Sequence, residues 1–207
     1  MAASGSKVAR KRRLREAMEI LRVLGFAQRQ SNEVAAYVLL SLLDLDANVT
    51  WSGSQNPLRG ITPMISFIRE RYGVSYAPNT RETIRDEAVK YFVEVGMVLR
   101  NPDAPSRPTN SGKTVYQIEP SALALLRTFG TAAWDEQLKD YLIARDSIRS
   151  EIERNRTLAR IPVKLPSGET VTLSPGGQNP LIKAVIEEFC PRFVAGGTVV
   201  YVGDTRR

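Results

Sequence analysis

A short apolar run near the C-terminus constrains this chain more than any other feature. After Gly196 and Gly197 come Thr198-Val199-Val200-Tyr201-Val202 and then Gly203-Asp204, with Arg207 the last of 207 residues. An unbroken run of β-branched and aromatic residues predicts a strand, and this one delivers a single carboxylate at its end. A strand end fixes the backbone, so an acid there can hold a divalent cation in a cleft. Such a site needs more oxygen ligands than one, and only three residues follow Asp204. The expectation is a chain that breaks off partway into a catalytic domain.

What the chain lacks narrows the chemistry further. It has no histidine, which removes Ser-His-Asp triads, histidine general bases and most catalytic zinc sites together. Its one cysteine, Cys190, rules out a disulfide framework and a cysteine-rich zinc site. No run approaches the ~18 apolar residues of a membrane span. The basic N-terminus has no apolar core of the kind a secretory signal needs, so a cytoplasmic setting is expected. Lys and Arg number 29 against 22 Asp and Glu, a net charge of +7 that favours a polyanionic partner.

The first two-thirds read as helices around one small hairpin. Residues 1–9 are small and polar and are expected to be a disordered basic tail. A helix from Arg10 to Leu24 follows, its apolar face made by Leu14, Ala17, Met18, Leu21 and Leu24. Six of the nine residues from Lys7 to Arg15 are basic and none is acidic. Arg10, Lys11, Arg12 and Arg13 are therefore candidates for a phosphate-contacting arm, with a plain solvated surface as the alternative. Ser31 or Asn32 can cap the next helix, apolar nearly all round from Val34 to about Leu45 and hence buried. Residues 48–61 form a loop, and Pro63 to Tyr72 a short helix.

Asn79 and Glu82 stand in capping-box spacing at the start of a helix that Gly96 ends. Thr80, Arg81, Thr83 and Arg85 cluster in its first turns. Met97–Arg100 and Thr114–Ile118 read as a hairpin around a polar loop carrying Arg107 and Lys113. Helices followed by a hairpin make the layout of a winged helix-turn-helix, in which the last helix enters the major groove. Arg81 and Arg85, one turn apart, are the natural groove-facing pair, Thr83 lies between them, and Arg107 and Lys113 sit on the wing. The alternative pairs Arg81 and Arg85 with Glu82 and Asp86 on an ordinary surface helix.

A long helix from Thr131 to about Ala159 carries mixed charges and marks the boundary, with a DNA-binding domain over 10–155 and the start of another over 156–207. Ile161–Leu165 and Glu169–Leu173 alternate as a second hairpin. Asn179 and Pro180 open a helix through Phe189 that bears Glu187 and Glu188. The fold class expected is mainly α with small β: a winged-helix-like domain, then the opening hairpin, helix and strand of an α/β domain.

The stretch Ser174-Pro175-Gly176-Gly177-Gln178-Asn179-Pro180-Leu181-Ile182-Lys183-Ala184-Val185-Ile186-Glu187-Glu188-Phe189, then Pro191-Arg192-Phe193 and Val200-Tyr201-Val202-Gly203-Asp204-Thr205, resembles the BsuBI/PstI family of type II restriction endonucleases. Residues 10–155 are similar to the helix-turn-helix domain that precedes the nuclease domain there. The resemblance implies a PD-(D/E)xK core, Mg²⁺-dependent cleavage of double-stranded DNA and a two-fold dimer. It makes Asp204 the first metal-binding acid, with Glu187 or Glu188 the supporting helix acid. The second acid and lysine of that core are not found. The residues two before Lys7, Lys11, Lys90, Lys113, Lys139, Lys164 and Lys183 are Gly5, Ala9, Ala88, Ser111, Gln137, Pro162 and Leu181, none of them acidic. These 207 residues are therefore expected to bind DNA without cutting it. A winged-helix transcriptional regulator is the alternative function.

Overall fold

A computed structural model describes the backbone of residues 2–77, 80–108, 111–158, 160–173 and 178–202. The chain divides into two compact units, Met1–Ala144 and Arg145–Arg207. Among its described residues the first is helical apart from one small sheet. Its elements are α1 (Ala2–Val23), α2 (Glu33–Leu42), α3 (Ile61–Phe67) extended by a π-helical turn (Ile68–Tyr72), and α4 (Thr80–Ile84). A second π-helical turn (Arg85–Val89) carries α4 into α5 (Lys90–Glu94), and β1 (Val98–Arg100), β2 (Tyr116–Ile118) and α6 (Pro120–Arg127) follow. Helix α7 (Trp134–Leu158) begins in the first unit and continues in the second.

Where a disordered tail over 1–9 is expected, α1 begins at Ala2. Apart from Gly5, nothing in residues 2–9 opposes a helix strongly, and the basic run beyond provides turns on which it propagates. At its other end Gly25 adopts φ 84°, and the amide of Phe26 donates to the Leu21 carbonyl at 3.1 Å. That left-handed closure is one a glycine makes without strain.

Helix α2 is the centre of the core. Asn32, not Ser31, caps it, accepting from the Ala35 amide at 2.9 Å. Ala35, Ala36, Val38, Leu39, Leu40 and Leu42 are fully buried. A helix covered on every side needs neighbours on every side, and its cluster draws in Ile20 and Leu21 of α1, Met64 and Ile68, Ile84, Phe92, and Leu125 and Leu126 of α6. The helix stops at Leu42, short of the expected Leu45. Leu43 and Leu45 remain buried because Asp44 takes φ 50° and turns the chain back, the Leu45 amide donating to the Leu40 carbonyl at 3.0 Å.

Strands β1 and β2 pair antiparallel with Val98 opposite Ile118 and Arg100 opposite Tyr116. The loop before α3 adds to the far edge of β2, where Arg59 and Tyr116 exchange backbone hydrogen bonds of 2.9 and 2.8 Å. The Asn56 side chain extends this pairing, accepting from the Ile118 amide and donating to its carbonyl, both at 3.0 Å.

Glu119 caps α6, its carboxylate accepting from the amides of Ser121 and Ala122 at 2.8 and 3.0 Å. Burial raises this carboxyl, but hydrogen bonds from the Ser121 hydroxyl and those two amides outweigh it and hold it below its ordinary value. A depressed folded pKa means the cap stabilises at neutral pH and is lost as pH falls through that depressed value. Glu119→Ala should therefore cost about 1 kcal/mol at pH 7. The gap between the two proteins should close in acid unfolding experiments, and a gap that stays constant down to pH 3 would refute the cap.

In the second unit β3 (Ile161–Lys164) and β4 (Thr170–Leu173) form the expected hairpin, Ile161 opposite Leu173 and Lys164 opposite Thr170. Helix α8 (Asn179–Ala184), a π-helical turn (Val185–Phe189) and α9 (Cys190–Phe193) pack on it through a small core of Val163, Leu173 and Ile186. The terminal strand is corrected for the residues described. Thr198 to Val202 form no ladder, and although Val199 and Val202 lie against the small core, Val200 is 94% and Tyr201 81% exposed. Among the described residues β3 and β4 pair with each other, and Thr198 to Val202 join neither strand.

Candidate nucleic-acid interface

The basic stretch of α1 splits into two kinds of arginine. Lys11, Arg12 and Arg15 are exposed and Arg10 is half-buried. Arg12 keeps 69% of its side chain in solvent, its Nε 3.5 Å from Glu16 Oε1. Arg13, expected in the same DNA-contacting arm, is 4% exposed. Its Nη1 donates to Glu16 Oε2 at 2.7 Å, its Nη2 donates to the Val49 carbonyl, and its guanidinium lies 5.2 Å from the centre of the Trp51 ring. Trp51 Nε1 donates to the same Glu16 oxygen at 2.9 Å. Position 13 lies one residue before Leu14 and four before Ala17, on the apolar stripe itself. That spacing was the available signal, outweighed by the density of charge.

Helix α4 presents Arg81 to solvent and half-buries Thr83. Its expected cap, Asn79, lies outside the described residues. Arg85 is exposed but engaged: Nε donates to Asp86 Oδ1 at 2.9 Å, Nη2 to Asp86 Oδ2 at 3.2 Å and to Glu82 Oε2 at 2.6 Å. The hydrogen bonds and charge of this pairing raise the Arg85 guanidinium above its ordinary value, and Arg85 in turn lowers the Asp86 carboxyl. The ion-paired alternative for Arg85 is thus the arrangement present.

The loop between β1 and β2 is built around a left-handed Asn101, with φ 49° and 3% exposure. Its side-chain oxygen accepts from Arg107 Nη1 at 2.8 Å and from the Val115 amide at 3.0 Å. Arg107 also clasps Asp103 with two bonds of 3.1 and 2.6 Å, so this arginine holds the loop's shape and offers little to a ligand. Lys113 is exposed. Arg100, at the end of β1, is exposed as well, a cation that no motif in the sequence marks. Burial raises the Tyr116 hydroxyl above its ordinary value, with Arg100 and Arg85 opposing the rise and Asp86 adding to it.

In the second unit Glu187 and Glu188 part company. Glu187 Oε1 accepts from the Lys164 amide at 2.8 Å, and its Oε2 lies 3.7 Å from Lys183 Nζ, which donates to the Pro162 carbonyl at 2.9 Å. It ties the helix to the hairpin edge and borders a cavity of about 910 Å³ with Lys164, Ser167, Cys190 and Thr198. Glu188 is exposed and does not line it. Asp204 lies outside the described residues. Among the described residues no three acidic or sulfur side chains converge on a common point. With Glu187 occupied by an amide and a lysine, these donors do not by themselves fit a magnesium ion.

A helical DNA-binding-type unit followed by a hairpin-and-acid unit has a known counterpart. Residues 11–150 match the BsuBI/PstI restriction endonuclease HTH domain and residues 161–207 the BsuBI/PstI restriction endonuclease domain. The chain belongs to the BsuBI/PstI restriction endonuclease family. It is 45% identical over 192 residues to the type II restriction enzyme BsuBI of Bacillus subtilis, covering 93% of this chain and 61% of that one. It is 35% identical over 190 residues to the type II restriction enzyme AplI of Arthrospira platensis, covering 92% and 58%. The solved structure of SdaI restriction endonuclease is similar with a TM-score of 0.61 and 35% identity, over 92% of this chain and 60% of that one. The chain thus spans about three-fifths of the length of these relatives. No described helix is long and apolar enough to cross a membrane.

Proposed function

We propose that this chain is the double-stranded-DNA-binding part, and the opening of the catalytic domain, of a type II restriction endonuclease that uses Mg²⁺ and acts as a two-fold dimer on a palindromic site. The observation that carries the reading is the helix-turn-helix match over residues 11–150 combined with an exposed cationic set on one unit: Lys11, Arg12 and Arg15 on α1, Arg81 on α4, and Arg100 and Lys113 on the hairpin. The hairpin with Arg59 paired to its edge supports a winged form of the motif. In this reading α4 faces the major groove, α1 and the hairpin lie along phosphates, and Asp204 is one metal ligand of the complete site. No D/E-x-K triplet occurs in the 207 residues, so the chain as it stands binds without cutting.

Fluorescence anisotropy with labelled duplexes across a salt series tests this. Binding should weaken steeply with salt, because each phosphate contact releases counterions. Replacing Lys11 and Arg12 together should weaken all duplexes alike and reduce the log–log salt slope by about 2. Arg81→Ala should cost roughly 1–3 kcal/mol on a selected site and little on random DNA, since base contacts specify while phosphate contacts position. Salt-insensitive binding, or none, would overturn the reading, and so would robust Mg²⁺-dependent plasmid cleavage by the 207-residue chain.

A further inference from the structure

The guanidinium of Arg85 has five N–H donors, and the structure commits three of them to carboxylates. Asp86 takes Nε–H and one Nη2–H in a fork, and Glu82 takes the second Nη2–H. A guanine edge is read by two donors on two different nitrogens, set to meet O6 and N7. Arginine has two such edges, Nε with Nη2 and Nη1 with Nη2, and Nη2 belongs to both. Its two protons are engaged, so neither edge is open. Arg85 can read a base only by giving up a carboxylate.

The same group resists DNA in general. One arginine between two carboxylates carries one net negative charge, on a helix turn that is largely exposed. Lys90, which also acts on Asp86, lies 3.9 Å from Glu94, so its charge is shared with that acid. Brought near a phosphate backbone, the group adds repulsion whatever the sequence. A phosphate also meets the fork but adds a charge that the two acids repel, whereas a base edge with two suitably placed acceptors is neutral, so the repulsion is better offset there.

We propose that Glu82 and Asp86 are specificity-determining positioning residues: they hold Arg85 in a closed ion-paired form that opens on a cognate base edge and repels other DNA. This rests on the reading of α4 as a DNA-contacting helix. It adds that part of the discrimination comes from acids that disfavour wrong sequences, a repulsive device.

The test begins with selection of bound duplexes from a random-sequence pool by the 207-residue chain, followed by titration of the selected duplex and a scrambled one. Glu82→Gln combined with Asp86→Asn should tighten binding to the scrambled duplex about three- to tenfold in 0.1 M salt. Affinity for the selected duplex should change less, so discrimination falls by the difference. Asp86→Glu, which keeps the charge, should restore most of it. Arg85→Lys should weaken the selected duplex and leave the scrambled one nearly unchanged, because an ammonium has no planar fork. If the parent chain enriches no motif and binds no duplex, the DNA-binding reading falls and this inference with it. If the parent discriminates but the double variant binds both duplexes as the parent does, the inference alone fails. It fails equally if the variant loses affinity for both together, as a merely structural ion pair would require.

Discussion

Arg13→Ala should lower the unfolding midpoint of the protein by about 10 °C, whereas Arg12→Ala, one residue away, should leave it nearly unchanged. Arg13 is buried with its charge met by Glu16 and its second nitrogen by the Val49 carbonyl. Removing Arg13 leaves the Val49 carbonyl and a quarter-exposed Glu16 without their buried partner, so the cost falls near the lower end of the roughly 3–5 kcal/mol of a broken buried pair. Glu16 also accepts from Trp51, so the indole N–H loses part of its setting too. Arg12 is largely in solvent, and its pairing with the same acid at 3.5 Å is of the exposed kind that contributes little. The two changes separate in DNA binding as well: Arg12→Ala should weaken it in the folded protein, while Arg13→Ala should act only through the folded fraction. Thermal melts followed by circular dichroism decide the matter. An Arg13→Ala protein that melts like the parent and has lost DNA affinity would return Arg13 to the arm.

In a longer chain that carries the rest of the catalytic domain, Asp204→Asn should reduce cleavage by at least about a thousandfold and leave DNA affinity within a few-fold. An amide keeps the shape of the side chain but not its charge, so ligation is lost while packing is preserved. Removing a negative charge close to a phosphate can even strengthen binding. Glu187→Gln should also lower cleavage, since Glu187 borders the cavity and joins the helix to the β3 edge, while Glu188→Gln should be nearly silent. Plasmid nicking and linearisation assays with and without Mg²⁺ read all three. An active Asp204→Asn protein, or a Glu188 variant more damaged than the Glu187 one, would overturn this assignment of the acids.

Both hairpins were legible in the residues, within two positions at each end, because alternating apolar side chains around Gly- or Pro-rich turns leave few other solutions. The α2 core was equally plain: Val38, Leu39 and Leu42 can only be inside. The family was legible too, through the run from Ser174 to Thr205. None of these needed a partner from elsewhere in the chain, because local periodicity and motif identity carry their own information.

The arginines could not be sorted that way. Arg12, Arg13, Arg85 and Arg107 look alike in a basic sequence, yet one is exposed, one is buried under Trp51, one is clasped by its helix neighbours and one ties a loop. Which fate each meets depends on what the fold brings beside it. Val49 and Trp51 reach Arg13 from some 36 positions away, a separation no local pattern encodes. Charge type and helix face are properties of the sequence, but the partner of a charge is set by tertiary packing. A guanidinium has low free energy only where its donors are met, and only the folded chain decides where that is.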